Sequence, residues 1–417
     1  MHGLTPLALL LLQAAVVLLL SRLLGTLGKR FGQPLVIGEV VAGILLGPTV
    51  LGALAPSIEA ALFPPSSLNA LGLVAQLGLM LFMFVVGLDV DLKALGGLGK
   101  SAAITSAAGI AVPFALGMAI APALAASLAP PGQALLGFSL FLGIAMAVTA
   151  FPVLARLLNE KGLAATPVGN LALAAAAVGD VAAWCLLAGV VSVVRAESLT
   201  GAATTTLAAL AYLVALAVVF RPALTRLVRA LSPRALEGQG ALAAALLLML
   251  LSCFGTELIG IHALFGAFAA GAIIPRERGL AHAISTRLED LVGVLFLPLF
   301  FALSGLRTEI GLVDSPTRWL QFGLLLFLAV AGKFGGVSVA ARLSGQRWPM
   351  ALELGVLMNT RGLMELVVLN VGLDLGVISR PLFAMLVLMA LVTTAATSPL
   401  LDLLARGRSP ATPPPVP

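Results

Sequence analysis

One aspartate, Asp180, lies near the middle of a long apolar stretch of the sequence. It is the only charged residue between Lys161 and Arg195, and this stretch is long enough to cross a bilayer as a helix. A charged side chain at the centre of a membrane helix costs roughly 2.5 to 3.5 kcal/mol on insertion scales. Because such residues usually serve an ion or proton path, Asp180 is predicted to bind a cation or a proton.

Further ionisable residues interrupt other apolar stretches. Lys333 is alone between Arg318 and Arg342, and Arg361 and Glu365 stand together further along the chain. The last two are four residues apart, about one helical turn, so an internal salt bridge and direct ion contact both stay open. Ionisable groups inside several apolar stretches together predict a transporter.

The composition indicates that these residues lie in a membrane. The chain has 417 residues, 60% of them hydrophobic and 10% charged, and its mean hydropathy is +1.12. Soluble globular domains carry about 25% charged residues, so we predict an all-α polytopic membrane protein. A span needs about 20 apolar residues. We place thirteen spans, at approximately 4–22, 35–54, 66–88, 101–127, 133–158, 164–194, 200–220, 239–256, 258–275, 289–306, 317–341, 349–373 and 381–404.

Most of the basic residues fall on one side of this arrangement. The exceptions are Arg195, Arg307, Arg318 and Arg380. The positive-inside rule therefore predicts an external N-terminus and a cytoplasmic C-terminus in the cell (inner or plasma) membrane. The basic residues that set this orientation also account for the sequence pI near 10. We therefore expect the protein to contact a lipid bilayer and no nucleic acid.

The two ends of the chain carry their own expectations. No Lys or Arg precedes Arg22, so the first apolar stretch is predicted to be a retained span instead of a cleaved signal peptide. Residues 405–417 are rich in proline and are predicted to form a short disordered cytoplasmic tail with no further domain. Residues 1–404 are expected to form a single transmembrane domain.

Two predicted spans contain residues that break helices. In the fifth span Pro152 follows Thr149 and Phe151, and proline lacks the amide proton that a helix interior needs. In the twelfth span four such residues lie at about mid-depth: Asn359, Thr360, Arg361 and Gly362. Breaks inside a membrane survive only where protein or a watered cavity satisfies the freed backbone groups.

The two breaks are roughly two hundred residues and seven spans apart, which gives the two spans opposite directions in the membrane. This arrangement is typical of inverted repeats whose discontinuous helices cross and form an ion site. Oxygen atoms near Thr149 and Asn359 suit a hard alkali cation. An ordinary proline kink together with a polar packing patch is the alternative explanation of the breaks.

Several segments resemble the monovalent cation:proton antiporter-2 family, which includes the bacterial Kef-type and the plant cation/proton exchangers. The similarity runs from about residue 30 to residue 400. It is carried by the segments GQPLVIGEVVAGILLGPTVLG, GIAMAVTAFPVLARLL, IHALFGAFAAGAIIPRE, LPLFFALSGLRTEIG and LMNTRGLMELVVLNVGLDLGVIS.

This resemblance implies a homodimeric antiporter of the sodium/proton-antiporter fold. A core bundle at about 101–194 and 317–404 would move against a dimerisation bundle at about 1–88 and 200–306. The essential aspartate of the family matches Asp180. The crossed broken helices match Thr149 to Pro152 and Asn359 to Gly362, and the basic residue of the eleventh span matches Lys333.

The sequence departs from the family at Gly179, where many members carry a second acidic or amide residue. Lys333 then needs another counter-charge, and the candidates are Asp180, Glu365 and the carboxyl end of a half-helix. With one acid in the pair, we predict exchange of one cation for one proton without sensitivity to voltage. Lys333 could instead lose its own proton and carry a second one.

The predicted function is exchange of Na⁺ or K⁺ for H⁺ by alternating access, with competition for Asp180. We expect no enzyme activity, no cofactor and no resident metal ion. A cation channel or a regulated efflux pathway without strict exchange would share the buried charges and the broken helices. An intramembrane aspartyl protease would need a second aspartate sharing a proton, and no other predicted span carries one at comparable depth.

Overall fold

The computed structural model describes residues 5–89, 99–164, 166–195, 199–230, 232, 236 and 238–406. The predicted tail lies outside these residues from position 407 onward. Within the described ranges the α-helices are, in chain order, α1 (Pro6–Lys29), α2 (Leu35–Leu46), α3 (Leu51–Leu54), α4 (Pro56–Leu62), α5 (Pro65–Asp89), α6 (Lys100–Leu128), α7 (Leu135–Ala147), α8 (Phe151–Glu160), α9 (Pro167–Arg195), α10 (Leu199–Ala215), α11 (Arg221–Ala230), α12 (Gln239–Ile259), α13 (Ala263–Ile273), α14 (Leu280–Leu291), α15 (Leu297–Leu306), α16 (Pro316–Val330), α17 (Gly336–Leu343), α18 (Trp348–Met358), α19 (Leu363–Asp374) and α20 (Arg380–Arg406).

The described part of the chain is all-helical, with no strand, and it is a multi-pass membrane protein, as predicted. Ten helical segments within it are long and apolar enough to cross a membrane. The three remaining predicted spans coincide with the shorter apolar helices α7, α13 and α18. Two of these short helices are halves of interrupted spans, because α8 follows α7 and α19 follows α18 after a short break.

Some predicted boundaries were wrong by several residues. The eighth and ninth spans divide at Gly260 instead of near Glu257, because Gly260 takes a left-handed conformation with φ +93° and ends α12. The imidazole Nδ1 of His262 then accepts a hydrogen bond from the Leu264 N–H at the start of α13. The seventh span was predicted to end at residue 220, where apolar residues give way to basic ones, but helical hydrogen bonding continues to Ala230.

Within the described ranges, three spans contain a short π-helical segment that the sequence did not predict. These segments are Leu216–Phe220, Val292–Phe296 and Ala331–Gly335. A π turn holds one residue more than an α turn and is found frequently at functional sites. The third segment contains Lys333, so an irregular turn presents this buried ammonium group.

The chain forms two compact units. The first is built from the described residues of Met1–Leu24, Glu39–Gly96 and Trp184–Glu309. The second is built from those of Gly25–Gly38, Gly97–Ala183 and Ile310–Pro417. Each predicted site residue falls within the second unit.

Glycines set the helix packing of the first unit. A Cβ atom on Gly305 of α15 would lie 2.2 Å from the Val40 carbonyl oxygen of α2, and one on Gly43 would lie 2.0 Å from the Ala302 carbonyl oxygen. The backbones of α2 and α15 are therefore in direct contact. Small residues allow this close approach between membrane helices, where apolar surface supplies little driving force for association.

Replacing Gly305 by alanine is expected to destabilise the protein, because the added methyl group overlaps backbone atoms that cannot rotate away. Overpacking of this kind typically costs about 1–3 kcal/mol. The midpoint of thermal unfolding in detergent measures the effect. Gly293→Ala is the matched control, since a Cβ atom there meets no atom within 4 Å. Equal midpoints for the two variants would contradict the packing argument.

In the second unit, α6 packs closely against α7. A Cβ atom on Gly117 would lie 2.8 Å from the Cα atom of Gly143. About one turn earlier on α6, Pro113 lies against Gly332 of the third π segment. A Cβ atom added to Gly332 would be 3.2 Å from the Pro113 Cα atom. The helix α6 thus supports both the first half of an interrupted span and the turn that carries Lys333.

Candidate functional site

The first interruption separates α7 from α8. The helix α7 ends at Ala147, and Val148 and Ala150 take extended or irregular backbone angles before α8 begins at Phe151. The sequence predicted a break because of Pro152. The structure places Pro152 in the first turn of α8, where no helical hydrogen bond is lost. The break itself therefore precedes the proline and contains Thr149, which is buried.

The second interruption comprises Asn359 to Gly362, between α18 and α19. The hydroxyl group of Thr394 on α20 accepts a hydrogen bond from the Arg361 N–H at 3.0 Å and donates one to the Arg361 carbonyl oxygen at 2.6 Å. The Thr360 and Thr397 hydroxyl oxygens are 3.5 Å apart. Side chains of α20 thus satisfy backbone groups that the broken helix leaves free.

The two interruptions touch each other. The Ala150 N–H donates a hydrogen bond to the Thr360 carbonyl oxygen at 3.4 Å. A Cβ atom on Gly362 would lie 2.8 Å from the Val153 Cγ2 atom of α8, so Gly362 allows the second break to approach the first half-helix closely. This contact is the geometry expected of discontinuous helices that cross within a membrane.

Two cationic side chains bind the carboxyl end of α7. The Lys333 ammonium group donates hydrogen bonds to the Ala147 carbonyl oxygen and, at 2.7 Å, to that of Val148. The carbonyl groups in the last turn of a helix lack intrahelical partners and carry partial negative charge. Of the three counter-charges considered for Lys333, the half-helix end is the one that it contacts directly.

The Arg361 guanidinium group binds the same helix end and also a buried acid. It donates to the Ala145 carbonyl oxygen at 3.1 Å and to that of Met146 at 2.8 Å. It also forms a salt bridge of 3.1 Å with Glu365, and both side chains are fully buried. The internal salt bridge left open by the sequence is therefore present.

The Asp180 carboxyl group lies near the amino end of α8, whereas Lys333 and Arg361 bind the carboxyl end of α7. The Asp180 side chain is 6% exposed, and the Phe151 N–H at the start of α8 is within hydrogen-bonding reach of its carboxyl group. The Oδ1 atom is buried and has no hydrogen-bond partner in the described part of the chain. The positive charge of Lys333 also acts on this carboxyl group. A helix N-terminus favours an anion, so α8 supports a charged Asp180 while leaving one oxygen free for a cation or a proton.

A cavity of about 260 Å³ reaches the second interruption. Its wall is formed mainly by apolar side chains of α16, the third π segment, α18 and α20, and its polar members are Asn359 and Thr397. The Oδ1 atom of Asn359 is buried without a hydrogen-bond partner. Asn359 therefore contributes an unpaired oxygen at the second interruption, as Asp180 does near the first.

The structure thus brings together the two breaks, Lys333 and Asp180 in one unit. It also assigns a role to Thr394, which sequence reasoning missed. A threonine in an apolar helix most often bonds to its own helix backbone, as Thr393 does to the Met389 carbonyl oxygen at 2.8 Å. Only the packing of α20 against the second break distinguishes the two neighbouring threonines.

Comparison with known proteins places this geometry among ion exchangers. Residues 15–403 match the profile of the family described as "Sodium/hydrogen exchanger, transmembrane". The "Na(+)/H(+) antiporter NhaS4" of Synechocystis sp. is 43% identical over 395 residues, which cover 94% of this chain and 96% of that protein.

Other relatives are longer than this chain. "Cation/H(+) antiporter 17" of Arabidopsis thaliana is 42% identical over 94% of this chain and 48% of its own length. "K(+)/H(+) antiporter 1" of Saccharomyces cerevisiae is 36% identical over 96% of this chain and 46% of its own length. This chain spans about half the length of these two relatives.

The fold is similar to that of a solved archaeal structure. The sodium proton antiporter MjNhaP1 from Methanocaldococcus jannaschii superimposes with a TM-score of 0.61 at 14% identity, over 97% of this chain and 99% of that one. At this identity the likeness shows a shared fold.

Proposed function

Because this chain belongs to the sodium/hydrogen exchanger family, we propose that it is a secondary antiporter exchanging Na⁺ or K⁺ for H⁺ at Asp180. The observation that carries this proposal is the buried Asp180 carboxyl group at the start of α8, with one oxygen unpaired. A carboxylate in this position can hold a proton or a cation, and each excludes the other.

Exchange follows from the cost of moving an empty site. An uncompensated charge in a low-dielectric interior is costly, so the site changes its exposure when Asp180 carries a proton or a cation. Lys333 and Arg361 are held by the carboxyl end of α7, and Arg361 also neutralises Glu365. Asp180 is then the group whose charge changes between the two loaded states.

We assign the unit that contains Asp180 to the moving core and the other unit to dimerisation. The family resemblance supports this assignment and a homodimer in the lipid bilayer. The distribution of basic residues supports an external N-terminus and a cytoplasmic C-terminus in the inner or plasma membrane. Single cysteines introduced into the first unit would test the dimer, because a cross-link between two copies of the chain requires that these units meet.

Two other classes of function make different predictions. A channel would conduct without coupling, so uphill cation uptake driven by a proton gradient distinguishes an antiporter from it. An aspartyl protease needs two aspartates that share a proton. Among the described residues Asp180 is the only buried aspartate, which favours transport.

We expect exchange of one cation for one proton, because a single acid changes its occupant. Purified protein in proteoliposomes, with a proton gradient imposed, should accumulate Na⁺ or K⁺ at a rate that a membrane potential does not change. The matched control is the same vesicle preparation without protein. A reversal potential that requires unequal charge movement would contradict this stoichiometry and favour a second proton carried by Lys333.

A further inference from the structure

Beside Asp180, the helix α9 faces a serine of α6. A Cβ atom on Gly179 would lie 3.3 Å from the Ser106 hydroxyl oxygen. Glycine at this position therefore lets the Ser106 hydroxyl group come close to the backbone of α9. Ser106 is 1% exposed, so this contact lies inside the second unit.

Among the described residues, the Ser106 hydroxyl group has no hydrogen-bond partner. A serine inside a helix commonly bonds to the carbonyl oxygen one turn earlier, and a buried polar group without a partner costs free energy. In native proteins a buried polar group that lacks a protein partner usually binds an ion or a water molecule. The same holds for the Oδ1 atom of Asp180, the residue after Gly179, which is also buried and has no hydrogen-bond partner among the described residues.

The same face of α6 also contacts the residue that precedes the second interruption. Gly109, three residues after Ser106, faces Val337 and Met358: an added Cβ atom would lie 3.0 Å from the Val337 Cγ2 atom and 3.9 Å from the Met358 Cε atom. Met358 immediately precedes Asn359, whose buried Oδ1 atom has no hydrogen-bond partner among the described residues. This face of α6 thus contacts both the helix of Asp180 and the last residue of α18.

We propose that the Ser106 hydroxyl oxygen, which Gly179 allows to approach α9 beside Asp180, is a ligand of the transported alkali cation. This inference rests on the proposed exchange at Asp180. Alkali cations prefer oxygen ligands, as other hard cations do, and a neutral hydroxyl adds a ligand without adding charge. The lysine and arginine nearby already bind backbone carbonyl groups, so they leave the unpaired oxygens free for the cation.

A neutral ligand should strengthen binding of the cation without changing binding of the proton. Protonation of Asp180 needs only the carboxyl oxygen, whereas a dehydrated cation needs several oxygens at once. Loss of the Ser106 hydroxyl group should therefore weaken cation binding and leave proton binding almost unchanged. A hydroxyl group with only a structural role would show no such difference.

The test compares Ser106→Ala with Ser106→Thr in proteoliposomes. We expect the alanine variant to raise the KM for Na⁺ or K⁺ about tenfold, as for the loss of one interaction with a charged group. The maximal rate and its pH dependence at saturating cation should stay within about twofold, and threonine, which keeps the hydroxyl group, should restore the KM. An unchanged KM in Ser106→Ala would overturn the proposal.

A binding measurement gives a second readout. Ions that bind the folded protein raise its unfolding temperature, so NaCl or KCl, compared with choline chloride, should stabilise the wild type more than Ser106→Ala. Ser304→Ala is the matched control: Ser304 is also fully buried but donates to the Phe300 carbonyl oxygen at 3.0 Å. Equal cation-dependent shifts in the wild type and Ser106→Ala would count against Ser106 as a ligand.

Gly179→Ala keeps the test decisive if Ser106→Ala does not fold. A methyl group placed 3.3 Å from the Ser106 hydroxyl oxygen crowds this proposed ligand, so the KM for K⁺ should rise more than the KM for the smaller Na⁺. Equal KM changes for both ions would contradict the inference. A wild type without exchange, or an exchanging Asp180→Asn variant, would instead refute the proposed function, so the two failures are distinguishable.

Discussion

We expect Asp180→Asn to abolish cation-driven proton movement while the protein stays folded. The asparagine side chain has a similar shape but cannot bind a proton in the physiological range, and its neutral amide holds a cation weakly. Because the removed charge is buried and has an unpaired oxygen, its loss also relieves a desolvation cost. We therefore expect exchange at the level of protein-free vesicles and an unfolding temperature equal to or above that of the wild type.

Asp314→Asn is the matched control for this variant. Asp314 forms an exposed ion pair of 3.2 Å with Arg318, and exposed pairs contribute about 0–1 kcal/mol. Its exchange rate should equal that of the wild type in a fluorescence assay of everted vesicles titrated with Na⁺, K⁺ and Li⁺. Normal exchange by Asp180→Asn would eliminate Asp180 as the binding site.

Arg361→Met is expected to cause the largest loss of stability. The substitution leaves the Glu365 carboxylate buried without its ion-pair partner and removes the hydrogen bonds to the carboxyl end of α7. Removing one partner of a buried pair typically costs about 3–5 kcal/mol. The unfolding midpoint in detergent should fall steeply, and expression in the membrane should decrease.

A double variant separates charge from packing. In Arg361→Met/Glu365→Gln no unpaired buried charge remains, so its loss of stability should be smaller than that of Arg361→Met alone. Lys161→Met is the surface control, since Lys161 pairs with Asp402, which is 55% exposed. An unfolding midpoint of Arg361→Met equal to that of the wild type would show that the buried ion pair does not stabilise the interruption.

The sequence revealed those features that are costly in an apolar environment. Asp180, Lys333 and the two helix breaks stand out because charges and unpaired backbone groups need compensation inside a membrane. Their position on the chain is therefore informative even without a fold, and the structure brings both breaks into contact.

The partners of these groups could not be predicted in the same way. Thr394, which binds both backbone groups of Arg361, and Ser106, which borders Gly179, are small polar residues of a kind common in membrane helices. Their roles depend on which face of a helix meets which neighbour. The direct contact of Lys333 with the end of α7 likewise depends on tertiary packing, and the sequence alone left three candidates for its partner.

The π segment at Ala331–Gly335 has a consequence for the evolution and engineering of this span. Each residue of an α-helix advances by about 100°, since 3.6 residues make one turn, so a single deletion normally rotates the entire following segment. The π turn at this point already contains one extra residue. Shortening the chain by one position here can restore an ordinary helix while the flanking faces keep their neighbours, so relatives can differ by a one-residue gap at this point without repacking the bundle.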